Sequence, residues 1–256
     1  MKMTFLGTGT STGIPMVGCG CAVCRSPDPR NRRRRASVLF QEGERRWLID
    51  AGPDFRTQAL DAGLEFLDAV LLTHAHADHI LGLDDLRPLS WKRTIPVWAD
   101  STTTAAVRRA FPYFFEAGDG KTSRPRLEFQ PLIAGHALEA AGLPVLPLAI
   151  RHGDATILGF RVGGIAYLTD CNGIPPETRG LLDDLDILVL GALRPRPHPN
   201  HFSLEEAVEV ARGVGAKQTL FTHFSHDVDH EPWARTLPKG MAPAYDGLVV
   251  DVRMER

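Results

Sequence analysis

The chain has 256 residues, 43% hydrophobic and 23% charged, a length at which roughly 75% of the unfolded surface can be buried without a disulfide or metal. Its 29 Lys and Arg against 31 Asp and Glu leave a net charge of −2, which speaks against a nucleic-acid binder held by bulk charge, and the composition speaks against disorder. No apolar run approaches the ~18 residues of a membrane span, and the opening MKMTFLGTGT reaches Gly and Thr too early for a signal-peptide core, so the expected compartment is the cytoplasm.

Short apolar runs alternate with amphipathic ones. Residues 3–6, 37–40 and 47–50 read as strands, with Gly43 in the turn between the second and third. Residues 55–62 read as a helix, and 69–73 as a buried strand running straight into a histidine cluster. A strand is expected at 95–99 and a helix at 102–111, with Ser101 as its cap. A second strand group follows at 127–130, 143–150, 156–162 and 165–169, then 185–190. Residues 203–213 read as a helix opened by the capping-box pattern Ser203-x-x-Glu206. Strands at 218–222 and 248–252 complete the pattern. No Pro/Ser-rich linker or repeat period intervenes, so 1–256 is expected as one domain, an α/β fold of two packed sheets with helices outside. The basic run of Arg30, Arg32, Arg33, Arg34 and Arg35 reads as a solvated positive turn, with an anion-binding loop as the sharper alternative.

The strongest chemical signal is Thr73-His74-Ala75-His76-Ala77-Asp78-His79, directly after an apolar strand. Imidazoles crowded this closely are costly to bury without partners. Imidazole with carboxylate suits divalent zinc, manganese or iron, and the lack of adjacent thiols argues against a purely structural site. Spacing by two puts His74 and His76 on one side of an extended segment, and Asp78 and His79 can then turn toward a second position. One loop can thus serve two neighbouring ions.

His74-x-His76-x-Asp78-His79 resembles the signature of the metallo-β-lactamase superfamily, hydrolases with an αββα sandwich of two mixed β-sheets flanked by helices. Counterparts to the remaining ligands stand at strand ends: His152, Asp170 in Tyr-Leu-Thr-Asp, and His223 in Leu-Phe-Thr-His. The resemblance implies one ion held by His74, His76 and His152, a second by Asp78, His79 and His223, and Asp170 bridging them.

The cysteines give a second signal. Three of the four fall in Cys19-Gly20-Cys21-Ala22-Val23-Cys24, a metal clip rather than a disulfide scaffold in a reducing compartment. A closed tetrahedral zinc site needs a fourth ligand, for which Cys171 and His226 are the candidates. Gly-Thr-Gly-Thr near the start, the clip, Leu-Thr-His-x-His-x-Asp-His, Thr-His-x-Ser-His and Ala-Tyr-Asp-Gly at 244–247 together resemble the phosphoribosyl 1,2-cyclic phosphate phosphodiesterases of the carbon–phosphorus lyase (phosphonate) pathway. That resemblance covers nearly the whole chain and implies a structural zinc on Cys19, Cys21, Cys24 and His226. The clip also occurs in a branch linked to pyrroloquinoline quinone synthesis.

In those phosphodiesterases a histidine placed like His201, in Pro-Asn-His-Phe-Ser before the capped helix, assists phosphate chemistry, so the resemblance implies a proton-donor or phosphate-contact role for His201. Arg194 and Arg196 are candidates for a second phosphate. His198, His136 and His230 read as solvated loop residues without a role. Asp50 is expected to orient the histidine loop rather than bind an ion. The Gly-Thr run at 7–13 lacks the Lys-Ser/Thr ending of a nucleotide P-loop.

The function implied is a metal-dependent phosphodiesterase opening a cyclic phosphate such as phosphoribosyl 1,2-cyclic phosphate. Two active-site ions, Mn2+ or Zn2+, would share an attacking hydroxide oriented by Asp170 and Asp78, with His201 assisting the departing oxygen. The alternatives are another hydrolase on the same metals (a tRNA 3′ endonuclease, a lactonase or a thioesterase) or a non-catalytic carrier related to quinone synthesis. No protruding arm of the kind that grips tRNA is visible. A small-molecule phosphodiester is the expected partner, with no membrane or nucleic acid, and a homodimer is left open.

Overall fold

In the computed structural model, which describes residues 1–116 and 123–254, the strands gather into two seven-stranded sheets. The first takes β1 (Lys2–Gly7), β2 (Ser37–Glu42), β3 (Arg45–Ile49), β4 (Ala69–Leu71), β5 (Ile95–Ala99) and β6 (Leu127–Pro131) in chain order. The second takes β7 (Leu138–Ala140), β8 (Leu143–His152), β9 (Ala155–Val162), β10 (Ile165–Leu168), β11 (Ile187–Gly191), β12 (Gln218–Thr222) and β13 (Met241–Pro243). The last strand, β14 (Val249–Asp251), returns to the first sheet and pairs antiparallel with β1. Each sheet is mixed: β3 to β6 run parallel, as do β10 to β13, while β1 to β3 and β8 to β10 are antiparallel.

Side chains alternate across a strand, and here both faces are buried. Val38 and Phe40 of β2 point between the sheets with Phe5, Trp47, Phe160, Tyr167 and Leu220. Leu39 points the other way, with Leu48, Val70 and Val97, onto an outer layer containing Phe55 and Val107. Those last two belong to α1 (Phe55–Asp61) and α3 (Ser101–Ala110), separated by the short α2 (Ala77–Ile80). Ala207 and Ala211 of α5 (Leu204–Val214) cover the outside of the second sheet with Leu188 and Phe221, and α4 (Pro176–Arg179) and α6 (His230–Ala234) complete the helices. The result is the expected αββα sandwich. No described helix is long and apolar enough to cross a membrane.

Several local expectations need correction. The cap of α3 is Asp100, whose carboxylate accepts from Thr103 N at 2.6 Å, and Ser101 is already helical. The strand expected from 185 begins at Ile187, because Leu185 packs into the outer core and Asp184 turns with a left-handed φ of 56°. The basic run is only partly a solvated turn: Arg32 is exposed, but its neighbours have partners. Arg30 pairs with Asp28 at 2.8 Å and Glu231 at 3.0 Å, Arg34 with Asp61 at 2.6 Å, and Arg35 with Asp54 at 3.1 Å. Arg33 is 2% exposed, lies 4.3 Å over the Phe224 ring and donates to the Ala244 carbonyl at 2.8 Å.

Candidate metal centre

The histidine motif leaves the carboxyl end of β4, a parallel strand, where an α/β sheet leaves room for ligands. The Asp50 carboxylate at the end of β3 pins it: it accepts from Thr73 N and Thr73 Oγ1, each at 2.8 Å, and from His79 Nδ1 at 2.7 Å. With Nδ1–H given to Asp50, the His79 lone pair is at Nε2. The two loops approach backbone to backbone. Ala51 N donates to the His79 carbonyl at 2.9 Å, and a Cβ on Gly52 would fall 2.0 Å from the Asp78 carbonyl. Only glycine fits there.

Three further strand ends bring their residues to the same place. The ligand atoms of His74, His76 and His152 lie within 4.8 Å of one another, as do those of Asp78, His79, Asp170 and His223. Asp170 also groups with His152 and His201, so its carboxylate stands between the two sets. One oxygen is 2.9 Å from His223 Nε2 and the other 3.3 Å from His79 Nε2. Asp50, Asp170 and His223 all carry left-handed backbone, with φ of 62°, 56° and 63°.

The donor set fits divalent cations. Nε2 of His74 is buried without a hydrogen bond, a costly state unless something else uses its lone pair, while Nε2 of His79 and of His223 face the carboxylates of Asp78 and Asp170. Burial pushes His74 well below its ordinary value, helped by the neighbouring His79, and burial also lowers His76. Burial opposes charge on His79 and His223 too, but there the carboxylates win. Asp170 and Asp50 raise His79 well above its ordinary value, and Asp170 raises His223 to about 9. Asp170 itself stays well below the usual carboxylate range despite burial, held by His223 and His79. The pocket thus calls for positive charge, which a metal ion supplies while using the Nε2 lone pairs.

The cysteine clip forms a second donor set. Cys19, Cys21, Cys24 and His226 offer ligand atoms within 4.8 Å of one another, with His226 Nδ1 3.2 Å from Cys19 Sγ and 3.5 Å from Cys21 Sγ. The Cys24 backbone N–H and His226 draw the Cys21 thiol down to about 6, whereas burial lifts Cys24 to about 11. Three sulfurs and one imidazole suit a closed tetrahedral zinc site. Cys171 is elsewhere, fully buried and hydrogen-bonded to the Leu168 carbonyl at 3.7 Å, its thiol pushed up by burial.

His201 lies against both ligand sets. Its ring centroid is 4.7 Å from that of His152 and 5.0 Å from that of His223, and its Nδ1 is 3.9 Å from Asp170 Oδ1. It arrives there because Ser203 starts α5 with a complete capping box. Burial, then His223, pushes its ring down to about 3. Arg194 and Arg196 are engaged within the protein: Arg194 donates to the carbonyls of Arg196 and Pro197 at 3.3 and 3.1 Å, and Arg196 meets Asp227 at 3.4 Å.

Of the histidines expected to be solvated, His230 is buried and His198 keeps only partial exposure in its loop. His230 is 4% exposed, with Nδ1 3.3 Å from Arg33 Nη2. His198 is half-buried with its ring centroid 5.0 Å from that of His201. Its placement between Pro197 and Pro199, three residues before His201, was the available signal.

The family model "Beta-lactamase superfamily domain" matches residues 45–224. An octanoyltransferase of Porphyromonas gingivalis is 40% identical over 251 residues, covering 97% of this chain and 51% of that protein. A ribonuclease Z of Bradyrhizobium sp. (strain ORS 278) is 34% identical over 166 residues, covering 62% of this chain and 48% of that protein. The chain therefore spans about half the length of these two relatives. The crystal structure of a new diphosphatase from the PhnP family superposes with a TM-score of 0.91 at 44% identity, covering 97% of this chain and 96% of that one.

Proposed function

The chain belongs to the metallo-β-lactamase superfamily, and from that premise we propose that it is a phosphodiesterase whose scissile phosphorus is presented to a two-metal centre. The observation that carries this reading is His201, held beside the carboxylate of Asp170 and against ligand histidines of both sets. A donor placed there suits a diester, whose leaving oxygen develops charge and gains from it.

His74, His76 and His152 would hold one ion; Asp78, His79 and His223 the other; Asp170 both. Zinc or manganese there supplies Lewis acidity toward the phosphoryl oxygens and activates water near neutral pH. Asp170 and Asp78 accept hydrogen bonds from the attacking water and aim its lone pair at phosphorus. The His201 ring N–H donates to the oxygen that departs. The substrate proposed is a 1,2-cyclic phosphate on ribose, opened to a phosphomonoester. The 44% identity to a diphosphatase favours a second reading, a diphosphate cleaved at its P–O–P bridge. On the cysteine clip we propose a structural zinc.

The test is a panel offered to metal-replete protein: bis(p-nitrophenyl) phosphate, a ribose 1,2-cyclic phosphate, a diphosphate diester, p-nitrophenyl phosphate, a lactone and an octanoyl thioester. Turnover of diesters, weak on the monoester, supports the reading. Efficient lactone or thioester cleavage with every phosphodiester ignored would overturn it. The thioester arm addresses the octanoyltransferase, whose name belongs to a protein about twice as long as the match.

A further inference from the structure

His198 has no role in the chemistry above, yet it is presented with more care than a surface loop needs. The segment Arg194-Pro195-Arg196-Pro197-His198-Pro199-Asn200 carries a proline at every second position, which fixes φ at each and removes freedom the loop would otherwise lose on binding. It is tied down on both sides. Arg194 donates to the carbonyls of Arg196 and Pro197 at 3.3 and 3.1 Å, Asn172 donates to the Pro199 carbonyl at 2.6 Å, and Nδ1 of the ligand His152 meets the Asn200 carbonyl at 3.1 Å. Inside this frame His198 Nδ1 accepts from Asn200 N–H at 3.2 Å. That bond settles the neutral tautomer, leaving the proton on Nε2. Among the described residues Nε2 makes no hydrogen bond.

Position gives this free donor a meaning. The His198 ring touches His201 at a centroid distance of 5.0 Å, and His201 in turn touches the ligands His152 and His223. His198 is thus next to the group assigned to the leaving oxygen, one ring further from the ligands in that chain of contacts. The Arg194 guanidinium is close enough that its charge, after burial, helps keep His198 neutral, and the same charge makes the spot attractive to an anion.

The geometry points to His198 as a specificity-determining residue whose Nε2–H binds a second phosphoryl group of the substrate, beyond the leaving oxygen. This rests on the phosphodiesterase reading and sharpens it. The second phosphoryl is the distal phosphate of a phosphorylated ribose cyclic phosphate or the neighbouring phosphoryl of a diphosphate. A substrate without one gains nothing from His198.

Matched pairs test this. Ribose 1,2-cyclic phosphate is compared with and without a 5-phosphate, and ADP-ribose is compared with bis(p-nitrophenyl) phosphate, for wild type, His198→Ala and His198→Gln. A hydrogen bond to a charged group is worth roughly 10–100-fold. His198→Ala should lose about that factor in kcat/KM on the member bearing the second phosphoryl. The loss should lie mainly in KM, with less than about threefold change on the compact member and unchanged metal content. His198→Gln, whose amide N–H reaches the Nε2 position, should recover part of it. The pair that shows the effect identifies which second phosphoryl is read. Equal losses on both members would reduce His198 to a support for the loop, and no loss on either would remove it from binding; both outcomes overturn the inference alone. A wild-type protein inactive on every phosphodiester overturns the underlying reading and the inference with it.

Discussion

His79 Nδ1 and Asp50 Oδ2 are 2.7 Å apart, and both side chains are completely shielded from solvent. Because Asp50 also accepts both Thr73 donors, it can only accept from the imidazole, which holds the His79 lone pair at Nε2. An amide in its place breaks this logic. Asp50→Asn turns a donor toward His79 Nδ1, drives the proton to Nε2 and blocks the ligand atom. Metal affinity of the His79 site should fall by about 10–100-fold, measured by competition with a chromophoric chelator. Unchanged affinity would mean Asp50 serves only the fold.

His201 and Asp170 should separate binding from rate. Asp170→Ala should lose metal and turnover together, since its carboxylate contacts both His79 and His223. His201→Ala should retain full metal content and lose ~10²–10⁴-fold in kcat on a diester. Metal analysis beside single-turnover rates is the measurement. Metal loss in His201→Ala would make it a ligand instead.

The two donor sets should behave as two populations of metal. Zinc in the closed clip of Cys19, Cys21, Cys24 and His226 should survive mild EDTA, whereas ions at the carboxylate–histidine centre should leave and exchange with manganese. Cys19→Ser should lower the unfolding temperature more than it lowers the specific activity of the folded fraction. A mutant as stable as wild type would remove the structural role.

His230 gives a pH prediction. Burial, then the Arg33 guanidinium, lowers its pKa from 6.5 to about 4. Between those values the unfolded chain binds the proton and the folded one does not, so this group's contribution to stability shrinks as pH falls from 6.5 to 4. The loss is up to about 3 kcal/mol. Burial raises Asp246 to about 6, so its contribution is lost in the opposite direction, as pH rises. The quantity to read is therefore the difference between wild type and His230→Asn, which keeps an acceptor for Arg33 but does not titrate. Parallel pH profiles from 4 to 8 in chemical unfolding would show that His230 does not titrate with folding.

The sandwich was legible because its strands are apolar runs bounded by turn residues, and the two donor sets of the carboxylate–histidine centre because all seven of their side chains stand inside or just after such runs. What escaped has physical reasons. β7 and β13 are three residues long and contain Glu139 and Pro243, too short for a period. Asp100 and Ser101 are both good caps, and only the backbone decides between them. The arginine run looks solvated because its partners Asp61, Asp54 and Glu231 are distant in sequence. His230 acquires its surroundings only through tertiary contacts with Asn31 and Arg33, whereas those of His198 are local.

The left-handed backbone at Asp50, Asp170 and His223 has a cost of roughly 1 kcal/mol each for side chains with a Cβ. A glycine would relieve it and abolish the ligand or its support. Asp170→Gly should therefore unfold at a higher temperature than Asp170→Ala while being equally inactive. Selection for thermostability alone, with no demand for turnover, would drift toward glycine at these strand ends. Their non-glycine identity in an otherwise well-packed sandwich is a record of selection for activity at the expense of robustness.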